Sequence, residues 1–159
     1  MSMVEMAKGL ARRFVGLRLV RYLCPAGYPT IGYGHRCAAD QPPINDTEAE
    51  ILLEADMLAS HNQAVRYCQP LAEADAGKRA AVADWVFNLG SGRWRSSTFR
   101  RRVAVGDWQA AADECRRWVH GGGRKLPGLV LRREAEVALM IKETDDETYG
   151  RYRGESGDG

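Results

Sequence analysis

The chain has 159 residues, enough for one domain or for two small lobes around a shared core, and 45% of them are hydrophobic, as in an ordinary folded domain. Its 23 Lys and Arg against 21 Asp and Glu leave a formal charge of +2, too small to indicate nucleic acid, and no groove-reading motif accompanies it. No apolar run approaches the roughly 18 residues that span a bilayer, so no integral membrane segment is expected.

In chain order, the spacing of Val4, Met6, Ala7, Leu10, Ala11 and Phe14 predicts a short amphipathic helix over residues 4–14, stopping near Gly16. Residues 17–34 change character, to β-branched and aromatic pieces broken by Pro25, Gly27, Pro29, Gly32 and Gly34. That pattern predicts a small twisted sheet with tight turns, the only strand-like part of the chain. At "NDTEAEILLEADMLASHNQAVRYC" a long helix opens, with Thr47 and Glu50 at capping-box spacing and Ile51, Leu52, Ala55, Leu58 and Ala59 on one face.

The remainder reads as helices. "AGKRAAVADWVFNLG" ends with Gly90 as a cap, "SSTFRRRVAVG" has Ser96 or Ser97 available as its cap, and "GDWQAAADECRRWVHGGG" starts at Asp107 and stops in three glycines. Trp85, Trp108 and Trp118 fit inward stripes, whereas Trp94, placed in a loop among arginines, is expected to be exposed. "PGLVLRREAEVALMI" supplies the last core helix. Gly121 to Arg124 read as a flexible rim, and residues 143–159 as a flexible charged tail.

Charge is uneven along this order. Arg93, Arg95, Arg100, Arg101 and Arg102 fall within ten residues, while residues 143–147 are mostly acidic; the plain reading is a solvated helix face and a solvated tail, with a locally cationic face as the alternative. Cys24, Cys37, Cys68 and Cys115 are well separated, without a C-x-x-C pair or a histidine at ligand spacing; free thiols, no metal and no cofactor are expected.

The candidates for chemistry sit on the predicted sheet: Cys24 in a Pro-Ala-Gly turn, Thr30 six residues later, and His35 after "IGYG". Taken singly, each has a plain structural explanation: a small buried thiol, a strand threonine and a hydrogen-bonded histidine. Together with "GLRLVRYLCPAGYPTIGYGH", "FNLGSGRWRSSTFRR", "GDWQAAADECRRW" and "LPGLVLRREAEVAL", they give a more specific pattern. In that order, over about residues 5–140, the chain resembles the phage-type lysozymes of glycoside hydrolase family 24.

The resemblance implies an α+β, mostly helical lysozyme-like fold. A β lobe over about 17–45 and a helical lobe over about 73–142, which the N-terminal helix joins, are linked by a helix over about 47–67. All belong to one domain, residues 1–142. It further implies a β-1,4-N-acetylmuramidase that cleaves peptidoglycan between N-acetylmuramic acid and N-acetylglucosamine during host lysis. Such a protein is expected to be a monomer, made in the host cytoplasm, released by a separate holin-type protein and active in the periplasm.

The family motif is a Glu at the end of the first helix, an Asp or Cys nine residues on, and a Thr six further. Cys24 and Thr30 occupy the second and third positions, and the first is Val15. Glycoside cleavage needs a carboxylic acid to protonate the leaving oxygen, which valine cannot do. A thiolate at Cys24 would still leave that oxygen unprotonated.

Phe87 and Asn88 match the family's aromatic-amide pair on the glycan, with Tyr33 and His35 as further substrate-binding candidates; core packing is the competing reading for Phe87. Related chains commonly carry a basic residue at Leu131, which makes Val15 and Leu131 a candidate matched loss of two paired charges. Two function classes remain open: an endolysin whose acid has been changed, with hydrolysis lost or impaired, and a natural pseudoenzyme that binds wall glycan or a protein partner.

Overall fold

Helix α1 spans Met3–Phe14 because Ser2 caps its start, accepting from the Glu5 N–H, while Met3, Ala7, Leu10 and Ala11 bury one face. It ends at Val15, whose backbone is already extended while its N–H still bonds to the Ala11 carbonyl. In the computed structural model, residues 1–141 are described; the predicted tail over 143–159 lies outside them.

Strands β1 (Arg18–Leu23), β2 (Pro29–Gly32) and β3 (His35–Arg36) follow as an antiparallel sheet in the order β1-β2-β3. The β2–β3 turn requires a positive φ at Gly34, +75°, which a residue with a side chain adopts only at a cost. On β2, Ile31 is fully buried in a small cluster with Ile44 and Ala49.

Helix α2 (Asp46–Tyr67) has 22 residues, a length of ~33 Å by helix rise, and runs between the sheet and the helical lobe. Its start differs from the sequence expectation. Asn45 is the cap and Glu48 its reciprocal partner, two residues ahead of Thr47 and Glu50. Asn caps at least as well as Thr, and Glu50 is engaged elsewhere: its oxygens lie 2.8 Å from Arg12 Nε and 2.6 Å from Arg12 Nη2, and 3.4 Å from Lys8 Nζ. This charge cluster ties α1 to α2.

A 3-10 turn (Gln69–Glu73) leads to α3 (Ala76–Leu89), α4 (Ser91–Ser96), α5 (Thr98–Ala104), α6 (Trp108–Arg116) and α7 (Pro127–Met140). The caps of α5 and α6 are Ser97 and Asp107, both among the expected residues. Trp94 is not exposed. The segment read as a loop is helix α4, which turns Trp94 inward with 0% exposure, edge-on to Trp85 and Phe99 at 6.1 and 5.2 Å, its Nε1 donating to the Ala64 carbonyl.

The sheet lobe is also not the only extended region. His120–Gly121 (β4) and Arg124–Lys125 (β5) pair as a small ribbon, turning through Gly122 and Gly123 at positive φ, where a flexible rim was expected. All four cysteines are free thiols.

One buried charge pair holds α7 on α3, and a second lies within α7. Arg132 donates from Nε and Nη2 to both carboxylate oxygens of Asp84 at 2.9 and 2.7 Å, with 5% and 0% side-chain exposure. The next residue, Arg133, has its Nε 2.7 Å from Oε1 of Glu136, one turn further along α7. Burial, and then the nearby Asp84 carboxylate, push the Glu136 carboxyl well above the usual range.

Asp84→Ala is expected to destabilise the fold by about 3–5 kcal/mol, because it strands the Arg132 guanidinium in the interior; urea denaturation measures it. The Glu50 carboxyl is held down to about 2 by its Arg12 hydrogen bonds, against an ordinary value of 4.5. Its stabilisation is therefore complete above pH 4.5 and fades as pH falls toward 2. Glu50→Gln is expected to cost roughly 1 kcal/mol at pH 7, an ion-pair value for a partly exposed site, and almost nothing near pH 2.

Candidate functional site

The β1–β2 turn brings the two sheet candidates together. The Cys24 N–H donates to the Tyr28 carbonyl at 3.0 Å and the Gly27 N–H to the Cys24 carbonyl at 2.8 Å, closing a tight loop. Thr30, 3% exposed, donates from Oγ1 to the same Tyr28 carbonyl at 2.8 Å. The Cys24 thiol is shifted toward the thiolate, first by hydrogen bonding to the backbone of Tyr28, then by that of Ala26, the Thr30 hydroxyl and the positive charge of Arg36. Arg36 lies across the Tyr28 ring, its Cζ 4.0 Å from the centroid. Cys24 and Thr30 therefore form one polar corner that favours negative charge.

Val15 lies toward the other end of β2. It is half-buried, and a Cβ placed on Gly34 would sit 3.7 Å from its Cγ1, so the end of α1 faces the β2–β3 turn. The last turn of α1 is backed by a closed ion pair that leaves no free carboxyl there. The Arg132 guanidinium lies 5.9 Å from the Phe14 ring centroid, and its partner carboxylate, Asp84, is fully buried and bound on both oxygens.

Leu131 does not share this environment. It is 57% exposed and lines a surface hollow of about 430 Å³ with Lys125, Pro127 and Val130. One residue along a helix is a rotation of ~100°, so Arg132 turns toward α1 while Leu131 turns to solvent. A charge at position 131 would be solvated, and the burial on which a matched loss with Val15 depends is not there.

The remaining candidates divide. Thr30 pairs with Arg36 across the sheet and Ile31 with His35, which places His35 on the α2 side of the sheet and away from Thr30. There its Nδ1 is 2.8 Å from Asp56 Oδ2, and its ring borders a hollow with Gln41, Ile44, Glu48, Ile51 and Leu52. This pair clamps β3 to α2, a role visible in sequence only as a histidine after a glycine turn. Tyr33 is partly buried against both the α1 core and the sheet core, where it acts as a joint between them.

Phe87 packs partly buried on the cluster of Met3, Ala7, Leu53, Met57, Ala80 and Ala83, in keeping with the core alternative. Asn88, next to it at the end of α3, accepts from Arg133 Nη2 at 2.7 Å through Oδ1. Its amide plane is thereby fixed, with the NH2 group pointing elsewhere. Sequence reasoning missed Arg133, Glu136, Asp84, Arg132 and Asp56 as parts of this framework; the signal was present as arginines and acids at otherwise inward helical positions.

Among the described residues no group of three or more His, Cys, Asp or Glu side chains is arranged to hold a metal ion, and no helix is long and apolar enough to cross a membrane.

Comparison with known proteins agrees with the fold. The chain is 34% identical over 145 residues to an endolysin of Acyrthosiphon pisum secondary endosymbiont phage 1, covering 88% of this chain and 98% of that one. It is 35% identical over 130 residues to a SAR-endolysin of Bacteriophage PS119, covering 79% and 75%. Among solved structures, the muramidase domain of SpmX from Asticaccaulis excentricus superposes with a TM-score of 0.77 at 26% identity, covering 86% of this chain and 95% of that one. The phage lysozyme family model matches residues 12–136, taking in α1's last turn, the sheet and most of α7, and the chain belongs to that family.

Proposed function

We propose that this chain is a peptidoglycan-binding lysozyme scaffold of the endolysin type whose hydrolysis is lost or strongly impaired at Val15. The single observation that carries this reading is the arrangement around β2. Cys24 and Thr30 are hydrogen-bonded at one end, as a water-positioning or charge-stabilising half-site needs, and a half-buried valine stands toward the other. β2 has four residues, ~10 Å by strand rise, comparable with the roughly 6.5–9.5 Å between the two working groups of inverting glycosidases.

Each candidate then has a role. Val15 marks the position from which the leaving oxygen would be protonated. Cys24 and Thr30 face the opposite side of the scissile bond. Asn88, with its carbonyl held by Arg133, presents its amide N–H to glycan, and Phe87 supplies an apolar edge beside it. Tyr33 and His35 contribute by fixing the sheet rather than by touching sugar. The substrate class is the N-acetylmuramic acid–N-acetylglucosamine polymer, and delivery to the periplasm by a holin-type protein and a monomeric state belong to the same reading.

The pseudoenzyme alternative rests on the same valine, since a cleft without its acid retains binding. Relief of the defect by a single residue separates the two. Val15→Glu is expected to raise the rate at which outer-membrane-permeabilised Gram-negative cells clear by at least about 10²-fold, the lower range of a general acid's contribution. Equal clearing by both proteins would mean that another carboxylate supplies the proton. Absence of clearing in both would mean that the cleft has diverged beyond the acid and serves binding alone.

A further inference from the structure

The α4–α5 corner carries five arginines in ten residues, and among the described residues none of them pairs with a carboxylate. Arg93, Arg95, Arg101 and Arg102 are exposed and Arg100 is half-buried. What holds them is uncharged. Arg95 lies over the Tyr67 ring, Cζ 5.3 Å from its centroid; Arg100 donates to the carbonyls of Arg95 and Tyr67 at 2.8 and 3.5 Å; Arg101 donates to Thr98 Oγ1 at 2.9 Å.

Outside this corner some cations, Arg13, Arg66 and Arg124 among them, likewise have no ion pair within 4 Å, but nowhere else among the described residues do five cations fall within ten residues, and others are paired. Lys8, Arg12, Lys78, Arg116 and Arg117 each sit within 4 Å of a carboxylate. No acidic residue occurs between Asp84, which is buried, and Asp107, whose Oδ1 is engaged in capping α6. Concentrating like charge without an internal counter-charge opposes compaction unless an external anion compensates it.

We propose that this corner is a docking surface for anionic phospholipid at a membrane–water boundary. The guanidinium fork matches phosphate oxygens in pairs, as an ammonium cannot, and all five cations here are arginines. Beside them Val105, at the end of α5, is 74% exposed, an apolar tip that a headgroup layer accommodates. Single-stranded nucleic acid fits less well, because it calls for exposed rings on which bases stack. In this corner Trp94 and Phe99 are fully buried and the Tyr67 ring is covered by Arg95. The inference is independent of the cleft and of whether it hydrolyses glycan.

The test is co-sedimentation of the full chain with large vesicles of phosphatidylcholine containing about one-third phosphatidylglycerol, and with phosphatidylcholine alone. Arg101→Glu/Arg102→Glu is compared with Arg124→Glu/Lys125→Glu, an equal reversal on exposed residues of the β4–β5 ribbon, and thermal melting verifies that both variants fold. The expected result is salt-sensitive binding to the anionic vesicles only, weakened at least about tenfold by the α5 pair and less than about twofold by the ribbon pair. Equal weakening by both pairs would reduce the effect to bulk charge and overturn the proposal. So would equal binding to uncharged vesicles, or tighter binding to a DNA duplex than to the anionic vesicles.

Discussion

The bidentate pair between Arg132 and Asp84 is the interaction on which the geometry of the molecule depends. Asp84 belongs to α3, the central helix of the larger lobe, and Arg132 to α7; neither side chain has appreciable contact with water. Two charges in such a place persist only when each satisfies the other. Their hydrogen bonds set the rotation of α7 on α3, and that rotation decides what faces the end of α1. The same turn of α7 then delivers Arg133 to Asn88 and to Glu136, so the candidate glycan-facing amide is oriented from the interior.

From this frame the site follows as a matter of which elements end where. Helix α1 is fastened to α2 by the Arg12, Lys8 and Glu50 cluster and stops at Val15, against the β2–β3 turn. The β1–β2 turn holds Cys24 and Thr30 on one carbonyl. In the proposed reading this is the scaffold that would aim an acid at a glycosidic oxygen, with Val15 at the acid's position. The framework rests on Arg132, Asp84, Arg12, Lys8 and Glu50 rather than on Val15, and with valine at the exit of α1 the chain keeps the architecture of the phage lysozyme family.

Much of this was legible from the chain. Proline and glycine spacing located the turns of the β1–β2–β3 sheet, because those residues limit or free φ whatever surrounds them, but the same signal at Gly121–Gly123 was read as a rim rather than as a ribbon. The proximity of Cys24 and Thr30 was legible because they lie close in sequence on one hairpin. The failures share another cause. Trp94 was misplaced because "SGRWRS" has too few apolar positions to announce a helix, yet its burial is decided by α2 and α3 packing against it. Leu131 was offered as the charge position and Arg132 proved to face α1, since helix phase is fixed by Asp84, 48 residues away. His35 belongs to the α2 face because strand pairing, not the motif, sets the alternation.

In the proposed reading the cleft binds wall glycan with hydrolysis lost or strongly impaired. The direct measurement is incubation of the chain with purified peptidoglycan sacculi, recording the protein that sediments with them and the new reducing ends released into solution. The protein is expected to sediment with the sacculi while reducing ends stay at or close to the level of a protein-free control. Steady release of reducing ends would contradict that reading, and so would failure to sediment.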